Sequence, residues 1–321
     1  MPEQMRLGAS DLMVSPLGVG TNTWGYIDKA NLALKDTFEA ALDLGINFFD
    51  TAEVYQLYGS ERTLGELLPA ARNRSAAPPG SVLPVVETKI FPFPWRLSAR
   101  RLLPALRASL RRLKLDCVDV YMIHFPLPPV SIEAWMDAFA GAVEQGLVRA
   151  VGVSNYSAEQ MKRAYTALEK RGVKLAVNQV EYSLLRRAPE RNGLLALCQS
   201  LGVTLIAYHP LASGVLTGKY TPDPAAAASP LPATALRHQL SISRAEIDRA
   251  RPLVVALRQI GGAHGGKTPG QVALNWVICK GALPIPGARN LQQLQGNAGA
   301  LGWRLTPDEV ATLDAAAEAA R

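Results

Sequence analysis

An alternation of short apolar runs with helix-sized segments most constrains how this chain can fold. Eight such runs follow one another along the sequence: LGVG (17–20), INFFD (46–50), VVETK (85–89), CVDVYMIH (117–124), VRAVGVSN (148–155), LAVNQVEY (175–182), VTLIAYHP (203–210) and ALPIPG (282–287). Between them, segments such as LKDTFEAALDLG (34–45) and SIEAWMDAFAGAVEQG (131–146) space apolar residues three and four apart and end on glycine, as amphipathic helices do.

Continuous apolar strands alternating with helices are typical of a parallel sheet that is buried on both faces. Eight repeats of the unit predict closure into a barrel, so the fold class is α/β with a single (β/α)8 architecture, the TIM barrel. The alternative is a doubly wound open sheet. Against it, the first strand is not followed by the GxGxxG phosphate loop of a Rossmann fold.

The 321 residues, 48% of them hydrophobic, suffice for one large core, and we expect a single domain over residues 1–321. Two stretches fall outside the repeat and are predicted as loops, at 71–84 (ARNRSAAPPGSVLP) and 221–235 (TPDPAAAASPLPATA). The second follows the seventh strand, on the face of a barrel where ligands bind. It is either a flap over a cofactor or a variable surface insertion.

Charge and cysteine content exclude several classes of protein. The net charge of +7 is carried largely by helical stretches such as ARRLLPALRASLRRLK (99–114), which favours a solvated face over a nucleic-acid partner. The three cysteines are far apart, so we expect neither a metal site nor disulfides. No apolar run reaches the ~18 residues of a membrane span. We expect a soluble intracellular protein of the cytoplasm or chloroplast stroma, and no feature indicates an oligomeric state.

Polar residues end most of the predicted strands. Taken singly, each has an ordinary explanation: an aspartate can cap a helix, a histidine can sit satisfied in the core, and a lysine can extend to solvent. Together they occupy the carboxyl ends of consecutive strands, which a closed barrel brings to one mouth. The residues are Asp50, Lys89, His124, Ser154 with Asn155, Gln179, and Tyr208 with His209.

The stretches DTAEVY, ETK, YMIH, VRAVGVSNY, NQVEYS, AYHPLASGVLTGKY and PIPGAR resemble, in order, the successive signatures of the aldo-keto reductase superfamily. The resemblance spans roughly residues 5 to 315. It implies a TIM barrel with an N-terminal β-hairpin and extra C-terminal helices. It also implies an NADPH cofactor bound in an extended pose, and a catalytic tetrad of Asp50, Tyr55, Lys89 and His124.

These four residue types suit carbonyl reduction, which needs a hydride at carbon and a proton at oxygen. We predict that Tyr55 is the acid and that the Lys89 ammonium lowers its pKa from the ordinary value of about 10. Asp50 would hold Lys89 in place and charged, and His124 would donate a hydrogen bond to the substrate oxygen.

The resemblance also implies how the chain would bind the cofactor. Ser154, Asn155 and Gln179 would bond the nicotinamide carboxamide, and Tyr208 would stack on its ring. The loop from Leu211 to Tyr220 would cover the pyrophosphate, with Lys219 supplying charge, although His209 stands where the family commonly has Ser-Pro. Further predicted cofactor contacts are Gly20, Thr21, Trp24, Asp50, Pro210, Leu211, Ser213, Gly214, Ile285, Gly287 and Ala288.

The adenosine end of the cofactor is predicted at PIPGARNLQQLQGN (284–297). Arg289 would pair with a 2'-phosphate, and Gln293 and Asn297 would reach the ribose phosphate and adenine, which favours NADPH over NADH. The plain alternative for Arg289 is an exposed surface arginine. Gly296 stands where the family often has an acidic residue, which implies weaker adenine contacts.

The substrate is predicted to be a small carbonyl compound. Trp24 and Trp95 are expected to line the pocket mouth beside Tyr55 and His124, favouring a flat or apolar substrate, with core packing as the alternative for each. PWRL, WVICKG, PIPG and GALGW are similar to a plant and algal branch that includes pyridoxal reductases. A broad aldehyde specificity and a regulatory role like that of potassium-channel β subunits stay open, since a fold alone does not fix function.

Overall fold

The computed structural model describes residues 3–25, 31–72, 82–221 and 243–320. An antiparallel hairpin of β1 (Met5–Arg6) and β2 (Met13–Val14) precedes the main sheet. The main sheet has eight parallel strands: β3 (Val19–Gly20), β4 (Phe48–Asp50), β5 (Val85–Ile90), β6 (Val118–Ile123), β7 (Val148–Ser154), β8 (Leu175–Glu181), β9 (Thr204–Tyr208) and β10 (Leu283–Pro284). Each coincides with one of the eight predicted apolar runs, and β5 extends one residue beyond its run, to Ile90.

The strands pair in chain order, and the first and last strands meet. The Gly18 amide donates to the carbonyl of Pro284 at 2.9 Å, and the Gly20 amide donates to that of Pro286 at 3.0 Å. At Gly20 a Cβ atom would lie 2.9 Å from the Ile285 carbonyl oxygen, so this close approach needs glycine. The predicted closed barrel is confirmed, and the open-sheet alternative is wrong.

Helices surround the strands and bury their apolar faces against them. They are α1 (Asn31–Asp43), α2 (Gly59–Arg72), α3 (Leu102–Leu113), α4 (Ile132–Glu144), α5 (Ala158–Glu169), α6 (Ala188–Arg191), α7 (Leu194–Leu201), α8 (Arg244–Ala263), α9 (Pro269–Cys279), α10 (Leu291–Ala298) and α11 (Pro307–Ala319). Capping boxes begin α5, α9 and α11, where Ser157, Thr268 and Thr306 each accept from the third helical residue. The last two helices follow β10, as predicted.

The hairpin packs on the end of the barrel where the strands begin. Leu7, Leu12 and Val14 are buried in one cluster with residues of the barrel interior such as Phe48 and Ile206. The Gly8 amide donates to Thr204 Oγ1 at 2.8 Å, at the first residue of β9. The hairpin therefore covers the amino end of the barrel and leaves the carboxyl end as the face for a site.

The predicted loop at 71–84 begins two residues late, because α2 continues to Arg72. The rest of that loop lies outside the described residues as far as residue 81, and so does 222–235 of the second predicted loop. None of the helices in the described ranges combines the length and apolar character that crossing a membrane takes.

Candidate active site

Asp50 and Lys89 form an ion pair inside the barrel, on the neighbouring strands β4 and β5. Lys89 Nζ donates to Asp50 Oδ1 and, at 2.8 Å, to the backbone carbonyl of Thr51. Lys89 has no exposed surface, and Asp50 is 3% exposed. Two charges withdrawn from water this completely stabilise each other only while both are present, and removing one partner typically costs about 3–5 kcal/mol.

Tyr55 and His124 lie over this pair. The Lys89 ammonium is 5.0 Å from the centre of the Tyr55 ring. The ring of Tyr55 meets that of His124 edge to face, with centroids 5.7 Å apart. His124 follows directly after β6, and its amide donates to the Ile90 carbonyl of β5 at 2.9 Å. The four residues of the predicted tetrad are therefore brought together by three consecutive strands and the loop after β4.

Burial is the largest single effect on Lys89 and would lower its pKa, but the charges of Asp50, Tyr55 and Glu87 and the hydrogen bond to Asp50 together outweigh it and raise that pKa. This agrees with the predicted role of Asp50 in keeping Lys89 charged. For Tyr55 the outcome differs from the prediction. Burial raises its pKa above the ordinary value, and the lowering by Lys89 only opposes that rise. The expectation of a lowered Tyr55 pKa is wrong for the free protein.

His124 is held neutral. Burial and the nearby Lys89 charge lower its pKa to about 3, against a smaller opposing effect of Asp50. Only 8% of His124 is exposed, and its Nδ1 atom has no hydrogen-bond partner among the residues the structure describes. A neutral imidazole carries one N–H, so His124 can donate a single hydrogen bond without bringing a positive charge.

Gln179 of β8 joins two carboxyl groups from the opposite side of the barrel. Its Nε2 atom donates to Asp50 Oδ1 at 2.8 Å and to Glu87 Oε1 at 2.6 Å. Both amide protons are thereby used. The Oε1 atom has no partner within the described part of the chain, and it is the acceptor that Gln179 offers to a ligand.

Asn155 and Ser154 form a second polar group, at the end of β7. Asn155 Nδ2 donates to the His124 carbonyl and to Ser154 Oγ, both at 3.1 Å. Its Oδ1 atom accepts from the Tyr208 hydroxyl at 2.9 Å. Asn155 has φ +61°, a left-handed conformation that asparagine tolerates better than most residues. These bonds fix the Tyr208 ring at the edge of the cavity.

A cavity of about 760 Å³ opens beside the tetrad and is also lined by the loop after β10 and by residues of α10. Its size is in the range of small-molecule sites. The predicted residues that line it are Gly20, Asp50, Tyr55, His124, Ser154, Asn155, Gln179, Tyr208, His209, Pro210, Leu211, Ser213, Gly214, Lys219, Ile285, Gly287, Arg289, Gln293 and Asn297.

Some lining residues were predicted only as parts of a segment: Thr217 and Tyr220 in the loop over the pyrophosphate, and Pro286 and Gly296 in the adenosine segment. The lining residues that were not predicted are Asn22, Thr23, Phe125, Thr268, Gly270 and Gln271. One sequence signal pointed to some of them. The stretch TPGQ (268–271) has the spacing of a capping box before an apolar run, which marks the beginning of α9. The amide groups at a helix start favour anions.

The segment after β9 has an unusual backbone beside the cavity. His209, Ala212 and Ser213 all have positive φ, and Gly214 has φ +91°. A Cβ atom at Gly214 would lie 2.6 Å from Lys219 Nζ, so glycine permits the lysine to lie against this turn. His209 Nδ1 lies 3.6 Å from Glu181 Oε1, which lowers the pKa of Glu181. Strained backbone of this kind clusters at ligand sites.

Arg289 is exposed and lines the cavity, and its guanidinium makes no ion pair within the described ranges. Its amide donates to Gln293 Oε1 at 2.9 Å, and Asn297 Nδ2 donates to the Gly287 carbonyl at 3.3 Å. These bonds tie the first and the last turn of α10 to the loop after β10. The three residues predicted for the adenosine end therefore lie together.

Neither predicted tryptophan lines the cavity. Trp24 is fully buried, with its Nε1 atom donating to the Ala288 carbonyl at 2.7 Å. Trp95 is 69% exposed and stacks on Phe93, with ring centroids 4.5 Å apart. Their predicted position at the pocket mouth is wrong, because one ring is taken into the core and the other stacks on a loop outside. Thr21 and Ala288 also stay outside the lining.

Comparisons with known proteins agree with this geometry. The family model described as "Aldo/keto reductase family" matches residues 16–318. The chain is 40% identical to the chloroplastic pyridoxal reductase of Arabidopsis thaliana, over 96% of this chain and 84% of that protein. It is 31% identical to a putative voltage-gated potassium channel subunit beta of Schizosaccharomyces pombe, covering 96% and 91%. The glycerol dehydrogenase structure from Gluconobacter oxydans superposes with a TM-score of 0.81 at 26% identity, covering 98% and 94%.

Proposed function

Because the chain belongs to the aldo/keto reductase family, we propose that it reduces aldehydes or ketones to alcohols with NADPH. The observation that carries the proposal is the arrangement of Tyr55, the paired Lys89 and neutral His124 at one end of an open cavity. When bound, a nicotinamide supplies the hydride that the carbonyl carbon takes up.

The residues around Tyr55 suit it to giving the carbonyl oxygen a proton. Tyr55 is neutral at ordinary pH, since burial keeps its pKa above the usual value. Once the proton leaves, the phenolate faces the Lys89 ammonium, which stabilises the anion. His124 donates a hydrogen bond to the same oxygen and so stabilises the charge that develops there. The product is an alcohol, with its new O–H proton from Tyr55.

The cavity suits a dinucleotide in its chemistry as well as its size. The Gln179 Oε1 atom beside the tetrad fits the amide of a nicotinamide, and the half-buried Tyr208 ring, which lines the cavity, fits its face. Further along, Lys219 offers an ammonium that forms no ion pair with any described residue, next to the start of α9. A pyrophosphate needs such positive groups.

Preference for NADPH rests on Arg289. An exposed guanidinium that lines the cavity and has no carboxylate partner in the described structure is suited to a 2'-phosphate. Gln293 and Asn297 would reach the ribose phosphate and adenine from the same helix. NADH lacks that phosphate, so it would bind less tightly.

A broad range of aldehydes is the substrate we propose, with pyridoxal as the specific candidate. The identity of 40% to a pyridoxal reductase supports it, and so do Phe125 and Tyr208, which line the cavity and suit a flat ring. A regulatory role like that of a channel subunit is the other candidate, favoured by the similarity to the Schizosaccharomyces pombe protein. We further propose that the chain acts as one domain in the cytoplasm or chloroplast stroma.

Steady-state oxidation of NADPH with a panel of aldehydes, pyridoxal included, tests the function. We expect turnover with several aromatic aldehydes, and less with NADH. A protein that binds NADPH but turns over none of the panel would contradict the reductase and favour the regulatory role.

A further inference from the structure

A second buried acid, Glu87, lies beneath the tetrad. Glu87 and Lys89 are two residues apart on β5, so their side chains point to the same face of the strand, the barrel interior. Glu87 has no exposed surface and pairs in register with Asp50 of β4 and Val120 of β6. The reaction described above makes no use of it.

The Lys89 ammonium lies near two carboxyl groups, those of Asp50 and Glu87. Glu87 Oε1 lies 3.6 Å from Lys89 Nζ, but Lys89 already donates to Asp50 and to the Thr51 carbonyl. Glu87 Oε1 accepts from Gln179 at 2.6 Å, and Gln179 gives its other proton to Asp50. The charged and titratable groups around Glu87 are Lys89, Asp50 and Tyr55. If both acids were ionised, the cluster would carry a net negative charge away from water.

The second carboxyl oxygen of Glu87 is not hydrogen-bonded to any described residue. Oε2 is fully buried and has no hydrogen-bond partner in the described part of the chain. A carboxylate oxygen left like this in an apolar interior is costly, whereas a protonated carboxyl carries no charge and can donate to a neighbouring acceptor.

We propose that Glu87 is a positioning residue that works as the neutral acid: together with Asp50 it accepts from the Gln179 amide, so that the Gln179 carbonyl faces the cavity. This inference rests on the proposed function for its effect on turnover. Gln179 is held by both acids through Nε2, which leaves Oε1 to meet a ligand amide. When Glu87 is neutral, the Lys89 ammonium does not have to balance its charge and interacts instead with Asp50 and Tyr55.

Electrostatics points the same way. Burial raises the pKa of Glu87 well above its ordinary value, the charge of Asp50 adds to the rise, and Lys89 only opposes it. An ionised Glu87 would in turn raise the pKa of Tyr55. Keeping the proton on Glu87 therefore keeps Tyr55 a stronger acid.

Infrared difference spectroscopy of the free protein tests the protonation directly. The spectrum of the wild type minus that of Glu87→Gln should show the carbonyl stretch of a protonated carboxylic acid at neutral pH. Glu61→Gln is the matched control, since Glu61 is equally buried but pairs with Arg112 at 2.6 Å and should contribute no such band. A wild type without the Glu87 band overturns the inference, whatever its activity.

Kinetics and binding test the positioning. We expect Glu87→Ala to lower kcat/KM for an aldehyde by roughly tenfold or more and to weaken NADPH binding measured by fluorescence, because Gln179 loses a partner. Glu87→Gln keeps a neutral acceptor and donor in the same place and should recover most of both. If it is as impaired as Glu87→Ala, or if Glu87→Ala matches the wild type, the inference is wrong. A protein inactive with every aldehyde would contradict the proposed function alone, since NADPH binding and the infrared band remain to be read.

Discussion

Lys89 Nζ lies 5.0 Å from the centre of the Tyr55 ring while it donates to Asp50 and the Thr51 carbonyl. Two acceptors at the end of β4 thus hold the ammonium in place, and its positive charge lies close to the phenol. This arrangement makes Tyr55 a weak acid in the free protein whose anion is nevertheless stabilised when it forms.

Replacing Tyr55 by phenylalanine should abolish most turnover while leaving NADPH binding intact, because the ring remains and only the proton donor is lost. A general acid typically contributes roughly 10²–10⁴-fold, and kcat should fall on that order. Tyr58→Phe is the control, since Tyr58 lies on the same loop but outside the cavity lining. A Tyr55→Phe variant with unimpaired turnover would remove Tyr55 from the role of acid.

Replacing Lys89 by methionine should shift the pH profile of reduction. Lys89 lowers the pKa of Tyr55 against the effect of burial, so its loss raises that pKa further. Reduction requires the protonated phenol, and its rate falls as the pH rises through the apparent pKa. The falling limb of residual kcat should therefore move to higher pH. Lys114→Met removes an exposed lysine paired with Glu66 and should leave the profile in place. An unmoved limb in Lys89→Met would contradict the pairing.

Arg289→Ala should raise the KM for NADPH far more than the KM for NADH, because only NADPH has the 2'-phosphate. The loss of one charge-assisted contact corresponds to about 1.5–3 kcal/mol, or roughly 10- to 150-fold. Arg304→Ala, which removes an exposed arginine paired with Glu3, should change neither constant. Equal increases in KM for NADPH and NADH would mean that Arg289 does not bind the 2'-phosphate.

Gly214→Ala should weaken NADPH binding through Lys219. The added Cβ atom would meet Lys219 Nζ at 2.6 Å and force the ammonium away from the turn. Gly172→Ala is a matched control for backbone strain, since Gly172 also has positive φ but open space around it. Comparison of the two dissociation constants, with thermal unfolding of each variant, separates the two effects. Similar affinities in both would argue against a role for Lys219 in binding.

His124 should make stability depend on pH. Its pKa is near 6.5 in the unfolded chain and about 3 in the folded protein. Between these values the unfolded state binds a proton that the folded state does not, so the free energy of unfolding falls as the pH falls below about 6.5. His124→Gln should show a smaller fall in urea denaturation at a series of pH values. Parallel curves for the two proteins would mean that His124 titrates normally.

Strand ends were the part of the site that the sequence predicted best. An apolar run that stops on a polar residue marks both the strand and its end, and parallel strands bring their ends together, which is how Asp50 and His124 are predicted. Gln179 also lines the cavity, although β8 continues past the predicted end to Glu181. No such rule gives the direction of a loop side chain. Trp24 is drawn inward by the carbonyl of Ala288, which lies 264 residues further along the chain.

Glu87 was overlooked for a different reason. Its spacing from Lys89 places both on one face of β5, but a glutamate inside a barrel is stable only through partners on other strands. Gln179 supplies that partner from β8, and this pairing follows from barrel closure rather than from local sequence. The raised pKa of Tyr55 escapes prediction from the sequence for the same reason, because the burial that raises it depends on the complete fold.

The hairpin of β1 and β2 closes the amino end of the barrel. Because Leu7, Leu12 and Val14 fill that end, the described part of the chain leaves the carboxyl end, where the cavity lies, as the approach to the tetrad. If the proposed reduction takes place there, the carbonyl compound and the dinucleotide would enter from that same side. The ligand bound deepest in the cavity would then be released last.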